Sequence, residues 1–293
     1  MLIRSEFDIR FHVSRSTPMI AMLHVHPSLA RFVKGGNELR IEHESLGTAS
    51  GFGQPIDSSE YLDSFGNRCT RFVSPAGTVR LSGLNIVELA NRPDPMPAHA
   101  QQWPVQELPD NVLQFLLSSR YCEVDRFVAV AQDLFGGIPE GWARAAAIRD
   151  WVHEKVRFDY AAARPTKTAM DVFTERVGVC RDFQHLAVTL SRCQNIPARY
   201  VTGYLGDVRH PFSGPGDFSA WYEVWLDGRW WTMDARHNEP RYGRVLMATG
   251  RDAADVAITT SFGNAELKHF RVESNELEGV ENGPEAWLAE IAS

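Results

Sequence analysis

The pair Asp227-Gly228 stands between two runs rich in aromatic and β-branched residues, Phe218-Ser219-Ala220-Trp221-Tyr222-Glu223-Val224-Trp225-Leu226 and Arg229-Trp230-Trp231-Thr232-Met233-Asp234. Asp-Gly tolerates the positive φ angles of a two-residue hairpin turn, so the runs are expected to fold back on each other as antiparallel strands. The turn also sets the register. Leu226 would face Arg229, Trp221 would face Asp234, and Ser219 would face Arg236. Side chains alternate along a strand, so Ser219, Trp221, Asp234 and Arg236 would share one face. His237 would pair with Phe218 and point to the other face of a regular ladder. It reaches the first face only if the strand ends or bulges after Asp234, and Asn238-Glu239-Pro240 makes an early end reasonable.

Upstream lies Gly178-Val179-Cys180-Arg181-Asp182-Phe183-Gln184-His185-Leu186. Gly178 has no Cβ and suits a turn or a close backbone approach. Phe183 to Ser191 reads as a helix, with Leu186, Ala187 and Leu190 on its apolar side. Cys180 would then sit at the helix N-terminus, where unpaired backbone N–H groups and the helix dipole favour a thiolate. A thiolate is a nucleophile; the alternative is a buried free cysteine, which is common. Ala198 to Tyr204 follows as a strand.

The order of cysteine helix, strand, hairpin and terminal aspartate resembles the transglutaminase-like superfamily of papain-type cysteine enzymes, and in particular its bacterial members described as cysteine proteases. The family pattern is G-x-C at a helix start, H-A-W-x-E-V on a strand, and D-P at the end of the next. Gly178-Val179-Cys180, Ala220-Trp221-Tyr222-Glu223-Val224 and Asp234 match it, with the motif core at roughly residues 140–240. Two positions depart from it. Ser219 stands where the family has its catalytic histidine, and Ala235 follows the aspartate in place of proline. The segment Tyr61-Leu62-Asp63-Ser64-Phe65-Gly66-Asn67 resembles the β-rich domain that precedes the catalytic core in these bacterial proteins.

The resemblance implies an α+β fold: an N-terminal β-sandwich or barrel-like domain over 1–102, a papain-like transglutaminase core over 103–270, and a tail over 271–293. It implies a thiol acyl-transfer enzyme acting on a peptide or other amide, with Cys180 as nucleophile and Asp234 as the carboxylate that orients an imidazole. No metal or organic cofactor is implied. A serine hydroxyl does not titrate near neutral pH, so Ser219 cannot supply the imidazole's role. Either another histidine has taken it, or the chain has lost the reaction and serves as a binding or assembly protein.

His237 is the best available replacement, with a structural or substrate-binding role as its alternative. His185 would point about 140° away from Cys180 around a helix and reads as a buried, hydrogen-bonded histidine. His210 lies in a Gly/Pro-containing loop and reads as solvated. Ser219 and Trp221 share the Asp234 face and are candidate binding residues, although core packing is the default for Trp221 as for the other aromatic residues near it. Arg236 could hold an anionic substrate group or form a surface ion pair. His24 and His26 alternate on one strand face without a ligand set around them.

A chain of 293 residues can bury a sizeable core and commonly holds two domains. Its net charge of −7 gives no general reason to bind nucleic acid or an anionic membrane. Four cysteines, at 69, 122, 180 and 193, lack disulfide-rich density and paired zinc spacing, which suits a reducing cytoplasm. The start, Met1 to Asp8, reads as a strand rather than an export signal, and no apolar run approaches a membrane span. Residues 91–109 carry several prolines and read as a linker. Helices are expected near 110–117, 125–135 and 139–158, and strands at 245–248 and 255–261.

Overall fold

The computed structural model of the protein describes residues 1–44, 52–211 and 216–277. The N-terminal part is built of eight strands: β1 (Leu2–Val13), β2 (Thr17–Ala21), β3 (Val33–Gly36), β4 (Arg40–Glu44), β5 (Phe52–Pro55), β6 (Ser58–Leu62), β7 (Arg68–Ser74) and β8 (Gly77–Glu88). Ile3, Ser5, Phe7 and Ile9 of β1 are buried while the residues between them are partly exposed, the period of two that a half-buried strand requires.

The helices are α1 (Asp110–Leu113), α2 (Val128–Phe135), α3 (Trp142–Lys155), α4 (Ala169–Glu175) and α5 (Cys180–Cys193). Two short parallel strands, β9 (Arg157–Phe158) and β10 (Val177–Gly178), frame α4. A four-stranded sheet follows, from β11 (Ala198–Tyr204), β12 (Phe218–Leu226), β13 (Arg229–Met233) and β14 (Val245–Gly250), in the order β13-β12-β11-β14. α5 packs on β11 and β12 with one side and on α3 and α4 with the other. It is therefore buried all round from Asp182 to Arg192, as expected of a central helix.

The chain then returns to its beginning. β15 (Thr259–Ser261) pairs with β2, and β16 (Ala265–Glu276) pairs with β1 along its whole length. This completes two antiparallel sheets, ordered β16-β1-β8-β4-β5 and β15-β2-β7-β6. The mixed α+β architecture is the expected one. The expected boundary at 270, however, falls inside β16, so the N-terminal sheets need the C-terminal strands. The rest of the expected tail, from 278, lies outside the described residues.

One apolar core joins Phe7, Met19, Phe72 and Leu81 of these sheets to Tyr204, Phe218 and Met247 of the catalytic-type half. The expected linker runs as a mostly exposed strap that is tied to the neighbouring half by backbone hydrogen bonds. The Ala100 carbonyl accepts from Trp142 N–H at 2.9 Å, and the Gln101 carbonyl from Asp227 N–H at 2.9 Å. Prolines removed its regular structure, but its backbone groups found partners on the neighbouring half. No helix among the described residues is long and apolar enough to cross a membrane.

Candidate active site

Cys180 is the first residue of α5, after an extended Val179. Asp182 folds back so that its Oδ2 accepts from Val179 N–H at 3.0 Å. That closure needs a glycine at 178, because a Cβ there would lie 2.6 Å from Asp182 Cβ.

The hairpin forms in the expected register, Leu226 opposite Arg229 through Tyr222 opposite Met233. Asp227 and Gly228 take φ angles of 48° and 74°, the left-handed pair that the turn demands. The ladder then stops. Trp221 and Ser219 do not face Asp234 and Arg236; on their other side they pair with Val201 and Gly203 of β11. The cause is the Asp234 side chain. Its Oδ1 accepts from the N–H groups of Arg236 at 3.0 Å and His237 at 3.2 Å, which curls the chain into a turn.

That turn brings the imidazole in. His237 Nδ1 lies 2.9 Å from Asp234 Oδ2. The same oxygen accepts from Arg244 Nη2 at 2.9 Å, while Arg244 Nε donates to Asp94 on the strap at 2.8 Å. Gln184, on α5, donates to Asp234 Oδ1 at 3.2 Å and to the Ala220 carbonyl at 3.2 Å, and accepts from Ala235 N–H at 3.2 Å. Burial alone would raise the Asp234 carboxyl, but Arg244 and His237 reverse that and hold it well below the usual carboxylate range. Gln184, Arg244 and Asp94 are absent from the sequence reading. No motif marks them, since an arginine and an aspartate 150 residues apart meet only through the fold.

Cys180, Ser219, Arg236 and His237 line one cavity of about 740 Å³, to whose lining Phe270 to Asn275 of β16 also contribute. Trp221 does not line it. It is 2 % exposed and packs beneath, against Gly203 and Arg244. His185 is fully buried, stacked on Tyr121 at 4.9 Å, with Nε2 accepting from Ala253 N–H at 3.1 Å. His210 lies 3.5 Å from Glu239 and outside the cavity lining. Among the described residues, no group of His, Cys, Asp and Glu side chains converges on a point that could hold a metal.

The helix N-terminus does not by itself ionise the thiol. Burial pushes Cys180 up to about 11, and Asp217 adds to this; the Arg236 charge and the backbone N–H groups of Arg181 and Ala220 pull the other way. A helix dipole is worth at most about 2 kcal/mol, so burial wins. Burial likewise raises Cys69, Cys122 to about 11 and Cys193 to about 12. Cys180 is set apart by its place on the cavity.

The sequence model of the transglutaminase-like superfamily matches residues 128–235, the stretch from α2 to the turn at Asp234. A crystal structure described as that of "a Putative Cysteine Protease from Cytophaga hutchinsonii" superposes with a TM-score of 0.82 at 31 % identity, over 95 % of this chain and 91 % of that one. The chain belongs to the transglutaminase-like superfamily. An uncharacterized protein of Mycobacterium leprae is 27 % identical over 208 residues, covering 68 % of this chain and 74 % of that protein. An uncharacterized protein of Mycobacterium tuberculosis is 35 % identical over 98 residues, 29 % of this chain and 31 % of its own. Here Asp234 holds the imidazole of His237, three residues on, and Ser219 lines the same cavity.

Proposed function

We propose that this chain is a cysteine-dependent amide hydrolase or acyltransferase acting on peptides or peptide-like amides, with His237 in place of the superfamily histidine. The observation that carries the reading is the His237–Asp234 pair in the cavity that Cys180 lines. With Nδ1 engaged by Asp234, Nε2 is the nitrogen free for proton exchange. In the reaction, Nε2 takes the Sγ proton, and the thiolate forms a bond to the acyl carbon. Asp234, anionic and buried, stabilises the imidazolium. The tetrahedral adduct collapses as the C–N bond breaks, and Nε2–H protonates the leaving amine. Water or a second amine then releases the thioester, returning the proton through the same nitrogen. Backbone N–H groups at the start of α5 and at Ala220 surround the reacting sulfur and are placed to favour negative charge there.

The rival reading is a binding or assembly protein that kept the cleft without the reaction. It is favoured by the thiol's high position and by the absence, among the described residues, of a direct hydrogen bond from Cys180 Sγ to His237. Such contacts commonly tighten only when substrate arrives. The four free thiols agree with a reducing, cytoplasmic setting.

The test is acylation by p-nitrophenyl acetate, followed by release of p-nitrophenolate and by intact mass. The enzyme reading expects a Cys180 thioester in the native chain, its loss in Cys180→Ser, and slower formation in His237→Ala. A native rate no higher than that of Cys180→Ser would put the binding protein ahead.

A further inference from the structure

Arg236 is the cavity arginine that the fold leaves without an acidic partner. Arg241 reaches Asp207 at 3.6 Å and Glu239 at 3.7 Å, and Arg271 reaches Glu273 at 2.8 Å and Glu6 at 3.3 Å. Among the described residues, no carboxylate lies within ion-pair distance of Arg236. Asp217 lines the same cavity and feels its charge, yet forms no ion pair with it.

The side chain is nonetheless held in place. Arg236 N–H donates to Asp234 Oδ1 at 3.0 Å, and its carbonyl lies 2.9 Å from His153 Nδ1. Its guanidinium carbon sits 4.1 Å from the centroid of the Phe158 ring. A guanidinium stacked on a ring uses its face and keeps its edge N–H donors for a planar, bidentate acceptor. Its charge also offsets part of the burial that raises the Cys180 thiol, and the two side chains line the same cavity. A lone arginine on open surface would mean little. This one is held by its main chain and the Phe158 ring, lines the cavity with Cys180, and forms no ion pair among the described residues.

We propose that Arg236 is an anion subsite, so that the acyl groups accepted by Cys180 carry a carboxylate close to the carbonyl under attack. The inference rests on Cys180 being the nucleophile. It goes further by naming a substrate class: acidic acyl donors, such as those ending in a free carboxylate or bearing a glutamate-like side chain.

The test needs no knowledge of the natural substrate. Iodoacetate and iodoacetamide alkylate a thiolate in the same way: the S–C bond forms as iodide leaves with the bonding pair. They differ in a carboxylate against an amide. Rates at Cys180 are measured by peptide mapping and divided by those of N-acetylcysteine amide. An anion subsite worth one charge-assisted hydrogen bond should favour iodoacetate by about tenfold. Arg236→Gln should bring that ratio to about one. If Arg236 acts only on the thiol, both rates fall together in Arg236→Gln and the ratio stays, which overturns the subsite. A native ratio of one, or one below it through Asp217, also overturns it. Inertness to both reagents would instead count against Cys180 as nucleophile. The subsite is then decided on the native chain by NMR of Arg236 Nε–H. A shift with N-acetylglutamate and none with N-acetylglutamine α-amide, which carries no carboxylate, upholds it, and any other result ends it.

Discussion

His237 Nδ1 and Asp234 Oδ2 lie 2.9 Å apart within a single turn of chain, although a continued hairpin would have sent the two side chains to opposite faces. The pair exists because Asp234 ends β13 and caps the turn that follows with its own carboxylate. One side chain therefore stops the strand, recruits the imidazole and orients it. His237→Ala should lower the acylation rate by about 10²–10⁴-fold with little loss of stability, since the ring is partly exposed. Stopped-flow acylation together with a thermal melt checks both halves.

Ser219 offers a rescue of that variant. It lines the cavity, and the resemblance read from the sequence sets the superfamily's histidine at its position. His237→Ala combined with Ser219→His should recover a substantial part of the lost rate, because the new imidazole enters the same cavity. A double variant that folds but stays as slow as His237→Ala would show that position 219 no longer addresses Cys180.

The cavity should also order the thiols. Cys69 and Cys122 are fully buried, and Cys193 Sγ contacts the Val124 carbonyl at 3.4 Å. Iodoacetamide at pH 8 should mark Cys180 first in the native protein and the others only on unfolding. Peptide mapping over time gives the order, and early labelling of Cys193 would contradict it.

Arg244 governs how the site responds to acid. Burial alone would raise the Asp234 carboxyl; Arg244, with His237, holds it below the unfolded value of about 3.9. In the native chain the linked stability is present above about pH 4 and is lost as pH falls through that range. In Arg244→Met burial dominates, and Asp94 loses its partner too, so the variant should lose about 3–5 kcal/mol at pH 7. Its Asp234 then titrates above 3.9 and is more stable protonated, so the gap to the native chain should narrow as pH falls. Urea melts at pH 7 and pH 5 measure this, and a gap of constant size would refute it.

Gln184 is a brace rather than a reactant. It is fully buried and ties α5 to β12 and to the turn after Asp234. Gln184→Leu leaves those groups short of a partner and should cost about 1–3 kcal/mol. It should also slow acylation by loosening Asp234, while Gln184→Glu, which sets a second carboxylate beside Asp234, should be worse. Chemical denaturation and the acylation assay separate the two effects.

The local elements were legible because short-range chemistry determines them. Asp227-Gly228 specified the turn and its register, Gly178 and Cys180 marked the start of α5, and the run from Ala198 to Tyr204 specified β11. The strand expected over 255–261 shrank to Thr259–Ser261, where pairing with β2 is available. The prolines of 91–109 reported local backbone freedom and not the partners that Ala100 and Gln101 find on the neighbouring half. For Trp221 the sequence left core packing and a binding role open, and only its burial against Gly203 and Arg244 places it in the core.

By itself, then, the sequence marked the candidates for chemistry: Cys180, Asp234 and, since Ser219 stands at the expected histidine position, His237 after the aspartate. Only the tertiary structure decided that His237 meets Asp234, that Arg244 and Gln184 hold that carboxylate, and that Arg236 lines the cavity with no ion pair among the described residues. The reason is range. A turn or a helix start is fixed by neighbours along the chain, whereas the charge on Asp234 depends on a buried guanidinium brought to it by the fold, itself anchored on an aspartate from the strap.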